Sequence, residues 1–579
     1  MIRHLNLRIL TPFHPSSRNA SGHLGAHCVS SDSVQSSVHK LSYQLTVDGS
    51  VRIGSQVVQK DATSPKYHVF FDMSSSLTAL AIAISLFGLV VAYRLFYPTR
   101  RSTPFPPGPK GFPLIGNILD MPSDKEWLTF ARWGEKHGNV ASVSVLGRRI
   151  VVINSVQMAI DMLDKKGAIY SDRPIVAMGG ELVGWKNGFS LMPYGPRFCD
   201  SRRRVRQVLG TNASFKQFLP VVELEAHQFL KRISADPEEL FRHIRKMNVA
   251  NIMQISYGYE IQEENDPFVK LADQATHHFA LSTTPGAFLV NVIPILRHIP
   301  DWFPGAEFKR TAKEWRSTLC KVVERPHDFV KQRIAAGDAR YSFTSSQLED
   351  GMSIDKEFDI KWAAATLYIG GSDTTVAAIS AFFKAMIMYP DIQAKAQAEI
   401  DTIVGNDRLP RFDDRGRLPY INALALEVSR WHVVGPLALP HSVSEDDVQL
   451  GYFIPKGSVV LANVWNMLHD PTVYEKPFEF RPERFMRTKG KEPEMDPHKV
   501  AFGFGRRICP GRLLADSSLF ISCAMVLAVF NISKYSENGV VLEPDMEHTA
   551  GTVSHPSSFK CTIKPRSEKV LELINAGFE

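Results

Sequence analysis

The sequence predicts a mainly α-helical protein with small β-sheets, preceded by one N-terminal transmembrane helix. An uncharged apolar stretch near the N-terminus has membrane-spanning length, a proline- and glycine-rich stretch follows it, and the long remainder combines helical apolar patterns with a few short β-rich runs. Hydrophobic residues make up 44% of the 579 residues, which excludes a disordered or fibrous chain. The net charge of +7 is too dilute in so long a chain to favour nucleic-acid binding.

Residues 1–72 show no pattern of a stable domain. Met73 opens the apolar stretch directly, which leaves two interpretations open. In one, Met73 is the true start and residues 1–72 are an artefact of the gene model; in the other, they form a poorly structured or cleaved leader. Asn19 lies here in an N-x-S sequon and would carry a glycan if this part were translated and lumenal.

Residues 73–93 carry no charged side chain over 21 positions, which at about 1.5 Å per residue spans a bilayer core of about 30 Å. Arg94, Arg100 and Arg101 follow, so the positive-inside rule places the C-terminal side in the cytosol. We therefore expect a membrane anchor over residues 73–97, in the endoplasmic reticulum, with a cytosolic catalytic domain. A buried core helix or a signal peptide would not explain the basic residues and prolines directly after the stretch.

Prolines and glycines are concentrated in residues 98–119, which excludes a helix there and predicts a stiff hinge. No second linker of this kind follows, so residues 120–579 are expected to form one large, mostly helical domain. Short strands are predicted at Val140–Leu146 and Arg149–Asn154. The six cysteines are scattered without a CxxC pair, which excludes a disulfide scaffold or a zinc module and fits a reducing compartment.

The most informative stretch surrounds Cys509, in the segment FGFGRRICPGR of residues 502–512. Glycines let a loop approach a flat ligand closely, and arginines can pair with carboxylates. An apolar helix is predicted after Pro510, so Cys509 lies at a helix N-terminus, where the helix dipole favours a thiolate. A thiolate presented by a glycine-rich loop beside cations suits axial ligation of a haem iron.

This segment resembles the haem-binding signature of the cytochrome P450 family, F-x-x-G-x-R-x-C-x-G. Five residues match it: Phe502, Gly505, Arg507, Cys509 and Gly511. The resemblance implies a cytochrome P450 fold over residues 98–570 and haem b as cofactor. It implies Cys509 as the axial ligand of the haem iron, Arg507 on a haem propionate, and the other three as cofactor-binding residues.

A second motif, GGSDTT at residues 370–375, lies inside a helical pattern predicted over Asp359–Tyr389. Two glycines inside a helix cost about 1 kcal/mol each relative to alanine, so they indicate a function, such as room for a ligand. The hydroxyl of Thr374 can bond a carbonyl one turn back and distort the helix. The resemblance implies that dioxygen binds in this groove and that Asp373 and Thr374 relay protons to it.

The resemblance also implies a buried structural triad of Glu427, Arg430 and Arg484, taken from the ExxR motif and from the PERF segment that follows about fifty residues later. Spacing i, i+3 places Glu427 and Arg430 on one helix face, where they can pair. An exposed ion pair of this kind contributes only a few tenths of a kcal/mol, so the ExxR motif is informative only together with the PERF segment. The triad is expected to support the loop that holds the cysteine.

Haem propionates bring two carboxylates into the interior, and buried charge needs partners. The resemblance assigns this task to Arg202 and His441 besides Arg507. The chain departs from the family pattern at Phe198, where the W-x-x-x-R motif has tryptophan. The missing indole N–H predicts haem contact weaker by one hydrogen bond, roughly 1 kcal/mol.

The motifs together imply a haem-thiolate monooxygenase, since a thiolate ligand favours O–O cleavage. No flavin or nicotinamide fingerprint is present, so the electrons are expected from an NADPH-dependent diflavin reductase. An acidic face of that partner would meet Arg506, Arg512 and Lys499. The alternatives are a haem-thiolate isomerase or dehydratase, for which the intact acid–threonine pair is atypical, and a non-catalytic haem sensor.

The substrate is expected to be small, neutral and lipophilic, because few charges occur among the predicted lining segments. Those segments are residues 175–182, Ala365, Ile369, 434–439 and 552–553. Similarity to fungal secondary-metabolism members suggests terpenoid, steroid-like or aromatic and polyketide compounds. Residues 287–303 are apolar and aromatic, and either dip into the bilayer beside an entry channel or belong to the internal core.

Overall fold

The computed structural model describes residues 103–284, 286–488 and 490–576, together with Ser85 and Gly88. The predicted leader, its Asn19 and the predicted anchor apart from Ser85 and Gly88 therefore lie outside the described residues. The predicted class, mainly helical with small sheets, is confirmed over the described part.

Eleven helices of eight or more residues form the framework of the described chain. They are α1 Glu126–His137, α2 Pro196–Leu209, α3 Leu219–Ala235, α4 Leu240–Tyr257, α5 Pro267–Thr283, α6 Glu307–Ala336, α7 Ile354–Met388, α8 Pro390–Ile403, α9 Pro419–Trp431, α10 Arg512–Val529 and α11 Glu568–Asn575. Shorter α-helical segments are Val156–Ala159, Gly167–Tyr170, Asn212–Phe215, Leu289–Val292, Phe343–Gln347, Val464–Leu468 and His498–Ala501. Short 3₁₀-helical segments are Ile118–Asp120, Trp185–Asn187, Lys216–Phe218, Pro237–Glu239, Pro294–His298, Phe412–Arg417, Pro482–Phe485 and Gly505–Arg507. Two π-helical segments are Ile160–Lys165 and Ala177–Val183.

Ten short strands form four small sheets within the described residues. They are β1 Val140–Val145, β2 Arg148–Ile153, β3 His441–Ser442, β4 Asp447–Gln449, β5 Tyr452–Ile454, β6 Val459–Ala462, β7 Phe530–Lys534, β8 Ser536–Glu537, β9 Val540–Val541 and β10 Cys561–Pro565. The largest sheet has the order β1-β2-β6-β3; β2 and β6 are parallel and the other pairs antiparallel. The first two strands lie within one residue of their predicted bounds. Leu146 and Gly147 link them with positive φ values of 48° and 80°.

The longest helix, α7, runs through the hydrophobic core. It begins at Ile354, five residues before the predicted start, and most of its residues from Ile360 to Ile387 are buried. A helix that is apolar on nearly all sides belongs inside a large protein. It packs against α2, α4 and α10. Two of these helices, α2 and α10, flank the loop that contains Cys509.

One helix of the described part, α10, is long and apolar enough to cross a bilayer, but 72% of its apolar window is buried in the protein core. Helices α7 and α8 pass the same test only if taken together, and they meet at a bend of 106°. The apolar composition of these helices is explained by core packing.

The described part of the predicted hinge is packed onto the domain. The carbonyl oxygen of Pro107 accepts from the Ser142 N–H of β1 at 2.7 Å, and that of Pro104 accepts from the Phe453 N–H at 2.7 Å. Gly108 lies so close to β1 that a Cβ there would be 1.9 Å from the Ser142 carbonyl oxygen. The described part of the proline-rich segment is thus fixed on the surface of the domain by hydrogen bonds to two strands, β1 and β5.

The apolar segment 287–303 lies largely on the surface. Ile295 is 73% exposed and Trp302 is 80% exposed, while Val290 is buried. Of the two interpretations of this segment, the structure therefore favours an exposed apolar surface over internal core.

Candidate active site

The cysteine loop places Cys509 between the turn Gly505–Arg507 and the start of α10. The Cys509 N–H donates to the Phe502 carbonyl oxygen at 2.8 Å, which closes the loop. Gly505 has a φ of +56°, and a Cβ there would lie 2.1 Å from the Leu163 carbonyl oxygen. Glycine is therefore required at Gly505 for two reasons: the backbone has a positive φ, and the helical segment Ile160–Lys165 approaches it closely.

The electrostatic environment of Cys509 contains opposing influences. Burial raises the pKa of its thiol, while the Gly511 N–H, Arg202 and Arg512 act to lower it. The sequence correctly identifies donors and cations around the sulfur, but in the free protein burial outweighs them. A thiolate at this position would need a cation bound directly to the sulfur, which an iron centre would supply.

Arg507 is buried in the loop and forms hydrogen bonds with backbone carbonyls. Its guanidinium donates to the carbonyl oxygens of Ser171 at 2.7 Å, Phe189 at 3.0 Å and Met192 at 2.7 Å. Burial, with a further contribution from the nearby Arg202, lowers its pKa to about 10. Arg507, the predicted propionate-binding residue, is thus held in place by the protein backbone itself.

Phe198 lies under this guanidinium, with its ring centroid 3.8 Å from the guanidinium carbon of Arg507. A cation over an aromatic face gains about 0.5–2 kcal/mol. The substitution of phenylalanine for tryptophan therefore loses an N–H donor but retains the flat surface that supports Arg507.

The other two predicted propionate residues also lie near the loop. Arg202 of α2 donates to the Ile508 carbonyl oxygen at 2.6 Å, directly before Cys509. His441 of β3 is bonded through Nδ1 to the Tyr170 carbonyl oxygen at 2.7 Å. Burial and two neighbouring arginines lower the pKa of His441 to about 3, so its imidazole is neutral and Nδ1 is the donor.

A third buried arginine, Arg173, belongs to the same cluster and was not identified as a site residue from the sequence. Its guanidinium donates to the carbonyl oxygens of Ser190, Leu439 and Pro440 at 2.6–2.9 Å. Burial, then Arg507 and Arg202, hold its pKa well below the usual range, and Asp172 is the carboxylate that opposes them.

The buried guanidiniums of Arg173 and Arg507 and the half-buried one of Arg202 face one carboxylate, that of Asp172, which leaves an excess of positive charge beside the cysteine loop. Such an excess is costly unless anions neutralise it. The arginines need anions, and a thiolate at Cys509 needs a cation bound to its sulfur. A group with two carboxylates and a metal ion that accepts a thiolate meets both needs. The residues present therefore fit haem b.

A cavity of about 520 Å³ opens beside the loop, between α2 and the start of α10. Cys509 and Cys199 both line it. Its lining also includes a set of exposed arginines: Arg203, Arg206, Arg506 and Arg512. Sequence reasoning identified the last two of these and missed the pair on α2.

The two glycines of α7 have different roles. A Cβ on Gly371 would lie 2.9 Å from a side-chain carbon of Ile252, so this glycine admits α4. A Cβ on Gly370 would meet nothing within 4 Å, so this position borders open space. The expectation that both glycines make room for a ligand is therefore wrong for Gly371. Thr374 lies one turn after Gly370 and donates to its carbonyl oxygen at 2.8 Å, as predicted.

Asp373 and Thr374 do not meet, because consecutive helix positions point about 100° apart. Asp373 is buried and faces away from Thr374. One carboxylate oxygen is 3.1 Å from His555 Nε2, and the other is 3.4 Å from Arg245 of α4. Burial acts to raise the pKa of Asp373, but His555 and Arg245 outweigh it and the net direction is downward.

The structure brings Glu427, Arg430 and Arg484 together in the fully buried triad. Arg430 donates to both oxygens of Glu427, at 2.7 and 2.8 Å, and Arg484 donates to Glu427 at 3.1 Å. Helix α9, which carries Glu427 and Arg430, also contacts the short helix His498–Ala501. The cysteine loop begins directly after this short helix. The triad is thus connected to the loop through one short element.

Comparison with known proteins identifies the family. Residues 106–563 match the cytochrome P450 family. The chain is 49% identical to cytochrome P450 monooxygenase 208 of Postia placenta over 88% of this chain and 99% of the relative. It is 48% identical to cytochrome P450 monooxygenase claR of Ampulloclitocybe clavipes over 84% of this chain and 91% of the relative. The chain therefore belongs to the cytochrome P450 family of haem b-dependent oxidoreductases.

Proposed function

We propose that this chain is a membrane-anchored haem-thiolate monooxygenase that inserts one oxygen atom of O2 into a small, neutral, lipophilic substrate. The observation that carries this proposal is the excess of guanidinium groups beside the loop of Cys509. One of them, Arg202, lies on α2, which packs against the core helix α7, whose Gly370 borders open space. The isomerase and sensor alternatives would need the haem pocket but not a helix groove with an acid and a hydroxyl.

We assign Cys509 as the axial iron ligand and Arg202, His441 and Arg507 to the propionates; a propionate beside His441 would raise the pKa of its imidazole and so favour the second N–H, on Nε2, that such a bond requires. Phe502, Gly505 and Gly511 shape the loop: the first accepts the Cys509 N–H, the second allows close packing, and the third directs its N–H at the sulfur. Bound haem supplies the site for O2 binding and O–O bond cleavage. The chain supplies a fixed sulfur, buried cations and a groove on α7.

Proton delivery is assigned to Asp373 and Thr374, in separate roles. The Thr374 hydroxyl shares a helix face with Gly370 and stands at the open space. Its bond to the Gly370 carbonyl leaves the hydroxyl oxygen free to accept another hydrogen bond. Asp373 has an ionised carboxylate on the adjacent face, where it can take protons from more exposed groups.

The substrate class follows from the side chains of the predicted lining. Residues 434–439 and 552–553 carry no charged side chain, and Ala365 and Ile369 are buried apolar residues of α7. Glu181 is the acid among residues 175–182, and it pairs with Lys186 at 2.8 Å. A neutral lipophilic substrate fits this lining, and we propose a terpenoid, steroid-like or aromatic and polyketide compound of secondary metabolism.

The partners are proposed from two surfaces. The exposed arginines that border the cavity at the cysteine loop, with the exposed Lys499, offer an acidic diflavin reductase a complementary face. The exposed apolar segment 287–303 and the predicted anchor at residues 73–97 fit the bilayer of the endoplasmic reticulum, with the domain in the cytosol.

The experiment uses yeast microsomes that contain the full chain and an NADPH-dependent diflavin reductase. A panel of neutral terpenoids, steroids and aromatic polyketides is offered under ¹⁸O2, beside carboxylated analogues. We expect NADPH-dependent products that carry one ¹⁸O atom, from neutral compounds and not from their anionic analogues. Matched microsomes with Cys509→Ala should give none.

Products without the isotope would support the isomerase or dehydratase alternative instead. A protein that shows the ferrous–CO band but consumes no NADPH with any compound would support the sensor alternative.

A further inference from the structure

His555 lies in a C-terminal loop, residues 547–557, that covers α7. Its Nε2 is 3.1 Å from a carboxylate oxygen of Asp373, although 182 residues separate the two along the chain. The His555 side chain is 26% exposed and the Asp373 side chain 12% exposed. The imidazole therefore touches both solvent and the buried carboxylate.

The loop holds His555 in place through its own hydrogen bonds. The His555 N–H donates to the Thr549 hydroxyl at 2.9 Å, and the Thr549 N–H donates to the His555 carbonyl oxygen at 2.8 Å. The next contact down the loop joins the Ser557 N–H to the Glu547 carbonyl oxygen at 2.9 Å. These paired bonds across a short loop hold the backbone of His555 in place without help from Asp373.

The same loop is tied to a predicted substrate-lining segment. The Ser554 N–H donates to the Val434 carbonyl oxygen at 2.9 Å, and the Ser554 carbonyl oxygen is 2.9 Å from His432 Nε2. His555 thus joins a loop that borders the predicted substrate lining to the acid of α7.

The second partner of Asp373 is engaged elsewhere. Arg245 is 3.4 Å from Asp373 but 2.6 Å from Asp273 of α5, so its shorter bond is to Asp273. A guanidinium also holds its protons at all working pH values and cannot pass them on. Of the two side chains on Asp373, the imidazole is the one able to exchange protons.

We propose that His555 is a proton-relay residue that passes protons from solvent to Asp373. The relay rests on the proposed role of Asp373 in proton delivery. In each step Nδ1 takes a proton from a hydronium ion of the solvent, which leaves as water, while the Nε2–H bond breaks and its proton moves to the Asp373 carboxylate, which becomes the neutral acid. The imidazole stays neutral overall, and exchange with water restores the starting tautomer.

The test measures oxygen reduction by the holoenzyme with reductase, NADPH and O2 and without an organic substrate. The readout is the fraction of consumed O2 that is released as hydrogen peroxide rather than as water, because slow proton delivery favours peroxide. The variants are His555→Ala and His555→Gln. Glutamine can still donate a hydrogen bond to Asp373 but has no second ring nitrogen through which a proton enters.

We expect both variants to raise the peroxide fraction at least about twofold. The change should stay well below the ~10²-fold or more of a positioned acid or base, because water can partly substitute. His548→Gln is the matched control: it changes a histidine of the same loop whose ring contacts that of His432, with centroids 5.0 Å apart and the planes tilted, and it should leave the fraction unchanged. All proteins are compared at equal ferrous–CO content.

Contact in solution is checked without turnover. Melting midpoints of Asp373→Asn, His555→Gln and the double variant should not add, because the two side chains share one hydrogen bond. Additive losses would overturn the contact and with it the relay.

Three turnover results overturn the relay: unchanged peroxide in both His555 variants, a normal fraction in His555→Gln alone, or the same increase in His548→Gln. Asp373→Asn separates this inference from the proposed function. If it raises peroxide while the His555 variants do not, only the relay is wrong. If Asp373→Asn itself leaves the fraction unchanged, the proposed role of Asp373 is wrong as well.

Discussion

Replacing Arg430 by alanine should abolish most of the haem-loaded protein, although Arg430 touches no predicted haem contact. Its guanidinium donates to both oxygens of Glu427, and to the carbonyl oxygens of Leu468 at 3.1 Å, Pro477 at 2.6 Å and Glu479 at 3.2 Å. All of its donors are thus used inside the protein, in a place where neither charge of the pair is exposed.

The expected loss follows from these contacts. Removing one partner of a buried ion pair costs about 3–5 kcal/mol. Each carbonyl left without a donor adds about 1–3 kcal/mol. Glu427 keeps two donors, the Arg484 side chain at 3.1 Å and the Arg481 N–H at 2.7 Å, which places the pair cost near the lower end. A total of at least about 5 kcal/mol is a third or more of the ~5–15 kcal/mol by which a folded domain is stable, and the whole of it at the lower end of that range.

The assay compares the ferrous–CO band per mole of protein, and the melting midpoint, between Arg430→Ala and a surface control. Arg487 and Glu492 form an ion pair at 2.8 Å with both side chains 75% exposed, so Arg487→Ala should cost less than about 1 kcal/mol. Equal haem content and equal melting of the two variants would refute the reasoning that the triad supports the haem loop.

Cys509→Ala should lose the ferrous–CO band and all activity while α10 still forms, which far-ultraviolet circular dichroism checks; a variant that keeps the band would show that the ligand is misassigned. Thr374→Ala should retain haem and consume NADPH yet release peroxide in place of product, and unchanged coupling would remove Thr374 from proton delivery. Acid should destabilise the fold, because burial lowers the pKa of both His432 and His469 to about 3. The unfolded chain binds protons below about pH 6.5 that the folded protein excludes, so stability falls from there toward pH 3 by up to ~1.4 kcal/mol per pH unit for each histidine. Melting midpoints from about pH 7 to about pH 5 measure this, and a slope that His469→Gln leaves unchanged would contradict it.

The parts of the site that the sequence predicted are contiguous or share one element. The loop of Cys509 is a single segment whose glycines and helix start can be identified directly, and the Glu427–Arg430 pair needs only the i, i+3 spacing of one helix. The partner of that pair, Arg484, came from the family resemblance and not from spacing. The strands β1 and β2 were predicted within one residue because their alternating and β-branched residues are separated by a glycine turn.

The parts that could not be predicted depend on contacts between distant segments. Arg173 was not identified as a site residue, because one sequence gives no sign that the carbonyl oxygens of Leu439 and Pro440 fold back to accept hydrogen bonds from it. His555 lies in a polar loop without helical or strand pattern, so nothing local connects it to Asp373.

The paired glycines of α7 show the limit most clearly. Absence of a side chain means either space for a ligand or space for a neighbouring helix, and the sequence is the same for both. At Gly371 the neighbour is Ile252, whose carbon would lie 2.9 Å from a Cβ, so α4 fills the space. At Gly370 the space stays open, and the Thr374 hydroxyl one turn later lies on the same face. The open space that we propose for oxygen chemistry therefore borders Gly370 and not Gly371, and α4 packs against α7 at the adjacent position.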